Sequence, residues 1–196
     1  MNNFTDKINL KCGNEVSMRK DFLNHEYISG NKRRKLKYNL EEAQLKKQSQ
    51  LLTFGGAYSN HIAAVAYAGI EYNFKTVGII RGEELAHNIH QNPTLSFAKK
   101  CGMQFKFISR AVYKEKTTTA FIKNLNEEFG DFYLLPEGGT NALAVKGCEE
   151  ILTKEDAIYD YICCPVGTGG TIAGIINASF PHQKILGFPA LKDRKS

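Results

Sequence analysis

Three short stretches of this chain carry residue types that can do chemistry together. Gly30-Asn31-Lys32-Arg33-Arg34-Lys35-Leu36 offers a lysine amine inside a polar loop. Gly55-Gly56-Ala57-Tyr58-Ser59-Asn60-His61 is a glycine-rich turn entering a helix with hydroxyl and amide side chains. Gly167-Thr168-Gly169-Gly170-Thr171 is a turn of nearly bare backbone between an apolar strand and a helix. A lysine amine is a nucleophile toward a carbonyl. Helix starts present unpaired N–H groups and a partial positive charge, and glycines let a phosphate come close to them. Thr168 and Thr171 can add hydroxyl donors.

Each stretch also has a plainer reading. Lys32 is one member of a basic cluster. Ser59 or Asn60 suits the N-cap of a helix, the common role of these residues. The glycines at 167–170 suit a tight βα turn used for conformation alone. No lysine follows those glycines, which excludes an ATP-type phosphate loop. Gly167 and Gly169 fit the dinucleotide fingerprint, but Ile172 stands where its third glycine belongs. Gly56-Ala57-Tyr58-Ser59 misses the serine-hydrolase elbow by one residue.

Taken together, an amine, a ring-facing polar turn and a phosphate cradle are what pyridoxal phosphate requires. On this reading Lys32 attaches the cofactor, and the charges of Arg33, Arg34 and Lys35 depress its pKa. Asn60 hydrogen-bonds the phenolate oxygen of the ring, while Ser59 and His61 face the substrate. Gly167, Thr168, Gly169, Gly170 and Thr171 hold the phosphate.

The elements that must position these turns alternate between strand and helix. Strands are expected at Leu51–Phe54, Lys75–Ile80, Gln104–Ile108, Asp131–Leu135, Ile158–Val166 and Lys184–Phe188. Helices are expected at Tyr38–Lys47, Ser59–Ala68, Pro93–Cys101, Thr117–Phe129, Asn141–Leu152 and Gly170–Ala178. Short links between them argue for an α/β fold of parallel βαβ units. Pro136-Glu137-Gly138-Gly139-Thr140-Asn141 is a further glycine turn, either a helix cap or part of the rim where α/β proteins bind ligands. The last strand runs into the charged tail Lys192-Asp193-Arg194-Lys195-Ser196 with no helix to cover it. That strand is then an edge, or the chain is incomplete.

Composition narrows the classes. The 196 residues are 42% hydrophobic, enough for a real core. The net charge is +6, and Lys and Arg outnumber Asp and Glu by 11 to 6 before residue 50. No nucleic-acid motif accompanies that charge, so it reads as a solvated basic face. Five cysteines without CxxC spacing read as reduced thiols in a reducing compartment. Nothing at the start resembles a secretory signal, and no apolar run is long enough for a bilayer. A cytoplasmic protein is expected, with neither nucleic acid nor membrane as partner. His87 and His90 are three apart but lack a third ligand nearby, so they read as exposed loop histidines.

The motifs Gly-Asn-Lys-x-Arg-Lys-Leu, Gly-Gly-x-x-Ser-Asn-His, Gly-Gly-Thr-Asn-Ala and Gly-Thr-Gly-Gly-Thr occur here in the order found in one family. From about Met18 to about Phe188 the chain resembles the 1-aminocyclopropane-1-carboxylate deaminase and D-cysteine desulfhydrase family. The resemblance implies the tryptophan-synthase-β-like (type II pyridoxal phosphate) fold, with three-layer parallel sheets. It implies a small α/β domain at 49–132 inside a larger cofactor-binding domain formed by 1–48 plus 133–196. It implies Lys32 as the Schiff-base lysine, Asn60 on the ring oxygen, Ser59 on the substrate carboxylate or in proton transfer, and residues 167–171 on the phosphate. His61 is similar to the desulfhydrase-like members, whereas ring-opening deaminases often carry Gln there. Family chains continue well past residue 196 with groups near the pyridine nitrogen and a tyrosine, which leaves the large domain here incomplete.

The expected activity is a deaminating lyase acting on a small amino acid. D-cysteine would give pyruvate, sulfide and ammonia; the cyclopropane amino acid would give a 2-oxo acid and ammonia. The alternatives are a β-replacement cysteine synthase or dehydratase of the same fold, or an inactive cofactor-binding fragment. A homodimer stays open as the assembly.

Overall fold

The computed structural model describes residues 4–190, so the charged tail at 192–196 lies outside the described residues. At its centre is a four-stranded parallel sheet in the order β5-β4-β3-β6. Its strands are β3 (Gln50–Gly55), β4 (Lys75–Arg81), β5 (Gln104–Ile108) and β6 (Tyr133–Leu135). Every residue of β3 is buried, as expected of a parallel strand covered on both faces.

Alternation along β3 sends its side chains to opposite sides. Leu51 joins one core with Ile62, Val65, Leu95 and Ala98, from helices α2 (Asn60–Tyr72) and α3 (Pro93–Lys100). Leu52 and Phe54 join the other with Leu125 of α5 (Thr119–Phe129) and Tyr113 of the short α4 (Arg110–Tyr113). The first core also takes in Leu36, Leu40 and Ala43 of α1 (Asn31–Leu45).

A second group of elements follows β6. Helices α6 (Ala142–Glu149) and α7 (Gly170–Ala178) pack with the parallel pair β7 (Tyr161–Val166) and β8 (Lys184–Pro189) around Cys148, Ile151, Cys164 and Ile175. Among the described residues β8 pairs with β7 alone and is the edge of that sheet. Helix α1 lies against α6 at Gly147, where a Cβ would stand 2.0 Å from the Arg34 carbonyl oxygen. Only glycine allows that approach.

The expected β/α order holds from β3 onward, with shifted ends. Helix α1 starts at Asn31, seven residues before the expected Tyr38, so Lys32 sits in the first helical turn and not in a loop. Helix α2 runs through Gly69 to Tyr72 and stops at Asn73, which takes the left-handed conformation (φ 58°). Ahead of α1 stands an unanticipated antiparallel hairpin, β1 (Thr5–Asn9) with β2 (Glu15–Arg19). Its strands are mostly exposed and polar, so no continuous apolar run announces them. Arg19 ties the hairpin to the second group, donating to the Ile151 carbonyl and to Asp156, the latter at 2.5 Å. No helix among the described residues is long and apolar enough to cross a membrane.

Candidate functional site

Lys32 is the second residue of α1, and its amine is half-buried. Its pKa is lowered to about 8, first by burial and then by the charge of Lys35, with Cys148 opposing. The sequence reading gave this work to Arg33, Arg34 and Lys35 together; burial leads instead, and only Lys35 contributes among the three. Arg34 is committed elsewhere. Its guanidinium donates to Asp21 at 2.6 and 3.0 Å and to the Glu150 carbonyl at 2.7 Å, which balances its charge and pins α1 in place.

The 167–171 turn lies beside this lysine. Asn31 Nδ2 donates to Thr171 Oγ1 at 2.7 Å, and Asn31 Oδ1 accepts from Lys32 Nζ at 3.3 Å. Gly169 precedes α7 in the left-handed conformation (φ 84°), which turns the chain into the helix and leaves its first N–H groups facing out of the turn. Gly167 and Thr168 are exposed on the same turn.

A second lysine reaches the turn as well. Lys35 Nζ lies 3.0 Å from Thr140 Oγ1, 3.4 Å from Thr168 Oγ1 and 3.3 Å from the Gly138 carbonyl oxygen. Thr140 and Thr168 share a hydrogen bond of 2.6 Å. A Cβ on Gly170 would stand 2.8 Å from Thr140 Cγ2 and 3.1 Å from Lys35 Nζ. The result is a cationic group among hydroxyls at the start of a helix, where a phosphate group fits. Burial lowers the Lys35 pKa too.

The middle motif supplies the third side. Ser59 is the N-cap of α2 and accepts from the Ile62 N–H at 3.4 Å. Asn60 opens the helix and is exposed. His61 does not open outward as a substrate-facing group would. It is 1% exposed, bonded through Nε2 to the Thr53 hydroxyl at 2.8 Å, with Gly139 against its ring. Burial first, then Lys32 and Lys35, lower its pKa to about 3, so the ring is neutral. Its Nδ1 is buried without a hydrogen-bond partner. The helical spacing explains the inward turn: His61 lies four residues before Val65 on the face that packs on β3.

The three motifs therefore converge. Lys35, Thr140, Asn31 and Thr53 join them; from sequence Lys35 was read only as a charge acting on Lys32, and the other three were given no role of their own. Lys35 had a usable signal, because it lies three residues after Lys32 and so on the same helical face. The Gly138-Gly139 turn leads into a helix cap, Asn141 accepting from the Ala144 N–H at 2.9 Å, and its Thr140 faces Lys35. His87 and His90 stand apart, lining a cleft of about 400 Å³ with Lys99 and Lys100.

No family model matches the chain. Curated proteins do. A candidate 1-aminocyclopropane-1-carboxylate deaminase of Thermotoga maritima is 34% identical over 180 residues, covering 88% of this chain and 56% of that protein. The mitochondrial bifunctional D-cysteine desulfhydrase/1-aminocyclopropane-1-carboxylate deaminase of Arabidopsis thaliana is 32% identical over 183 residues, covering 85% and 45%. The chain is a homologue of the 1-aminocyclopropane-1-carboxylate deaminase and D-cysteine desulfhydrase family.

This deaminase/desulfhydrase homologue spans about half the length of the curated relatives it matches. The crystal structure of a 1-aminocyclopropane-1-carboxylate deaminase homologue superposes with a TM-score of 0.75 at 24% identity, covering 91% of this chain and 56% of the other. The architecture is thus the α/β tryptophan-synthase-β-like fold of pyridoxal phosphate enzymes.

Proposed function

We propose that this homologue is a pyridoxal-phosphate-dependent deaminating lyase acting on a small amino acid, of the D-cysteine desulfhydrase or 1-aminocyclopropane-1-carboxylate deaminase kind. One observation carries the reading. A half-buried amine with a lowered pKa, Lys32, is joined through Asn31 to a glycine–threonine turn that Lys35 makes cationic. The buried Lys35 charge, the hydroxyls of Thr140 and Thr168, and the bare Gly170 suit a phosphate monoester. Residues 167–171 with Lys35 would hold that phosphate, and Lys32 would hold the aldehyde carbon.

When bound, pyridoxal phosphate supplies an electron sink that lets a proton leave the substrate carbon. The chain supplies the rest. Compared with an ordinary lysine, one with a pKa of about 8 has roughly 300 times more neutral amine at pH 7. Neutral Lys32 can therefore take a proton from a substrate carbon and return it. The first turn of α2 gives Ser59 Oγ and free N–H groups to a substrate carboxylate, and exposed Asn60 gives an amide to the ring oxygen. His61, neutral and enclosed, supports the Gly139 turn and does not donate a proton at neutral pH.

The division into a small domain at 49–132 within a larger one is part of the proposal. The separate four- and two-stranded sheets support it, although β6 extends the first sheet to Leu135. A reducing compartment such as the cytoplasm is the proposed location, supported by five free cysteines.

The test adds pyridoxal 5′-phosphate, fixes the adduct with borohydride and maps the modified peptide. Modification of Lys32, absent in Lys32→Ala, is expected. Modification elsewhere, or an unchanged absorbance band in Lys32→Ala, would overturn the assignment. Sulfide and pyruvate from D-cysteine, or 2-oxo acid and ammonia from the cyclopropane amino acid, then decide the substrate.

A further inference from the structure

The residue before the reactive lysine has its own geometry. Asn31 is the first residue of α1, and the cap position before it is Gly30, which has no side chain to offer. Both ends of the Asn31 amide are engaged. Nδ2 donates across to Thr171 Oγ1 at 2.7 Å, and Oδ1 accepts from Lys32 Nζ at 3.3 Å. Successive residues on a helix do not face each other. The Asn31–Lys32 contact is therefore not a by-product of helical spacing; both side chains bend toward the start of α7.

The surroundings leave Asn31 as the anchor of the amine. The titratable groups facing Lys32 are Lys35 on α1, His61 on α2 and Cys148 on α6. Lys35 repels it, His61 is neutral, and burial keeps the Cys148 thiol protonated. Among the described residues the hydrogen bond made by Lys32 Nζ is the one to Asn31.

We propose that Asn31 is a positioning residue for Lys32: its amide holds the free amine against the first turn of α7, with Thr171 as the fixed point. Thr171 orients the amide, and the amide orients the amine. Filling or disturbing the 167–171 turn is thereby felt at Lys32 through one side chain. The role in cofactor attachment rests on the function proposed above; the anchoring of the amine does not.

The test separates the two. Trace labelling with acetic anhydride across pH, read on the Lys32 peptide, reports the amine without any cofactor. Asn31→Asp keeps the acceptor and places a negative charge beside the amine, so the Lys32 midpoint should rise by one pH unit or more. Thr171→Val should shift the midpoint or the limiting rate, and that effect should vanish when Asn31→Ala is already present. Borohydride-trapped attachment of pyridoxal 5′-phosphate at pH 8 should slow at least fivefold in Asn31→Ala. A merely structural Asn31 would lower the melting temperature in all variants and leave the Lys32 midpoint alone; that result overturns the proposal. If Asn31→Ala does not fold, Asn31→Asp and Thr171→Val decide. Failure of the native chain to attach the cofactor, with midpoints moving as stated, sinks the functional reading and leaves the anchoring intact.

Discussion

Lys35 Nζ lies 3.0 Å from the Thr140 hydroxyl, although 105 residues separate them along the chain. The contact joins α1 to the turn before α6, and the Thr140–Thr168 bond carries it on to the turn before α7. A buried cation among hydroxyls and a carbonyl, with no carboxylate among its hydrogen-bond partners in the described residues, is suited to receive an anion. Lys35→Met keeps most of the stem and removes the charge. Inorganic phosphate, measured by calorimetry, should bind at least tenfold more weakly, since a charge-assisted bond is worth about 1.5–3 kcal/mol. Unchanged phosphate affinity would place the anion site elsewhere.

Lys32 predicts a pH-dependent stability. Its folded pKa, about 8, lies below the ordinary 10.5, so the fold disfavours the protonated amine. The penalty is complete below pH 8, shrinks as the folded form loses its proton, and vanishes above about 10.5. Lys32→Met should stabilise the cofactor-free chain by about 1–2 kcal/mol at pH 7, with the gain fading between pH 8 and 10.5. Urea titrations at several pH values test this; a constant difference across that window would count against a buried, depressed Lys32.

His61 predicts a slope of the same sign on the acid side. Its folded pKa of about 3 lies below the ordinary 6.5, so the unfolded chain binds a proton that the folded chain refuses. Stability should fall as pH drops from 6.5 toward 3, by several kcal/mol in all. Ring nitrogen shifts in an NMR spectrum at pH 4.5 should show His61 neutral. A charged His61 at that pH would contradict its enclosure between Thr53 and Gly139.

Gly147 predicts a packing cost that reaches the site. Its missing Cβ would stand 2.0 Å from the Arg34 carbonyl oxygen, which is backbone and cannot swing aside. Gly147→Ala should push α1 from α6 and cost about 2–3 kcal/mol, typical of overpacking. Because α1 carries Lys32 and Lys35, phosphate affinity should fall in the same variant. Full stability in chemical denaturation would show that the two helices are less closely apposed.

Much of the fold was legible because its signals are local. Val77, Ile79 and Ile80 mark a strand buried on both faces, and the alternation of Gln104-Phe105-Lys106-Phe107 marks a half-buried one. Gly102 after α3 and Pro93 at its first position punctuate the chain as backbone geometry requires. The start of α1 was missed for an equally physical reason. Its first turn, Asn31-Lys32-Arg33-Arg34, has no apolar residue and no side-chain cap, so nothing local marks a helix. What holds it is distant: Asp21 and Glu150 on Arg34, and Thr171 on Asn31.

The sequence by itself determined the parts: a lysine beside an amide, a glycine–threonine turn before a helix, and strands that must lie parallel. It could do so because glycine, proline and apolar periodicity act within a few residues. Only the tertiary structure decided which lysine reaches the turn, which way His61 points, and what depresses Lys32. Burial and contacts across more than a hundred residues set those, and neither is written in any short stretch of chain.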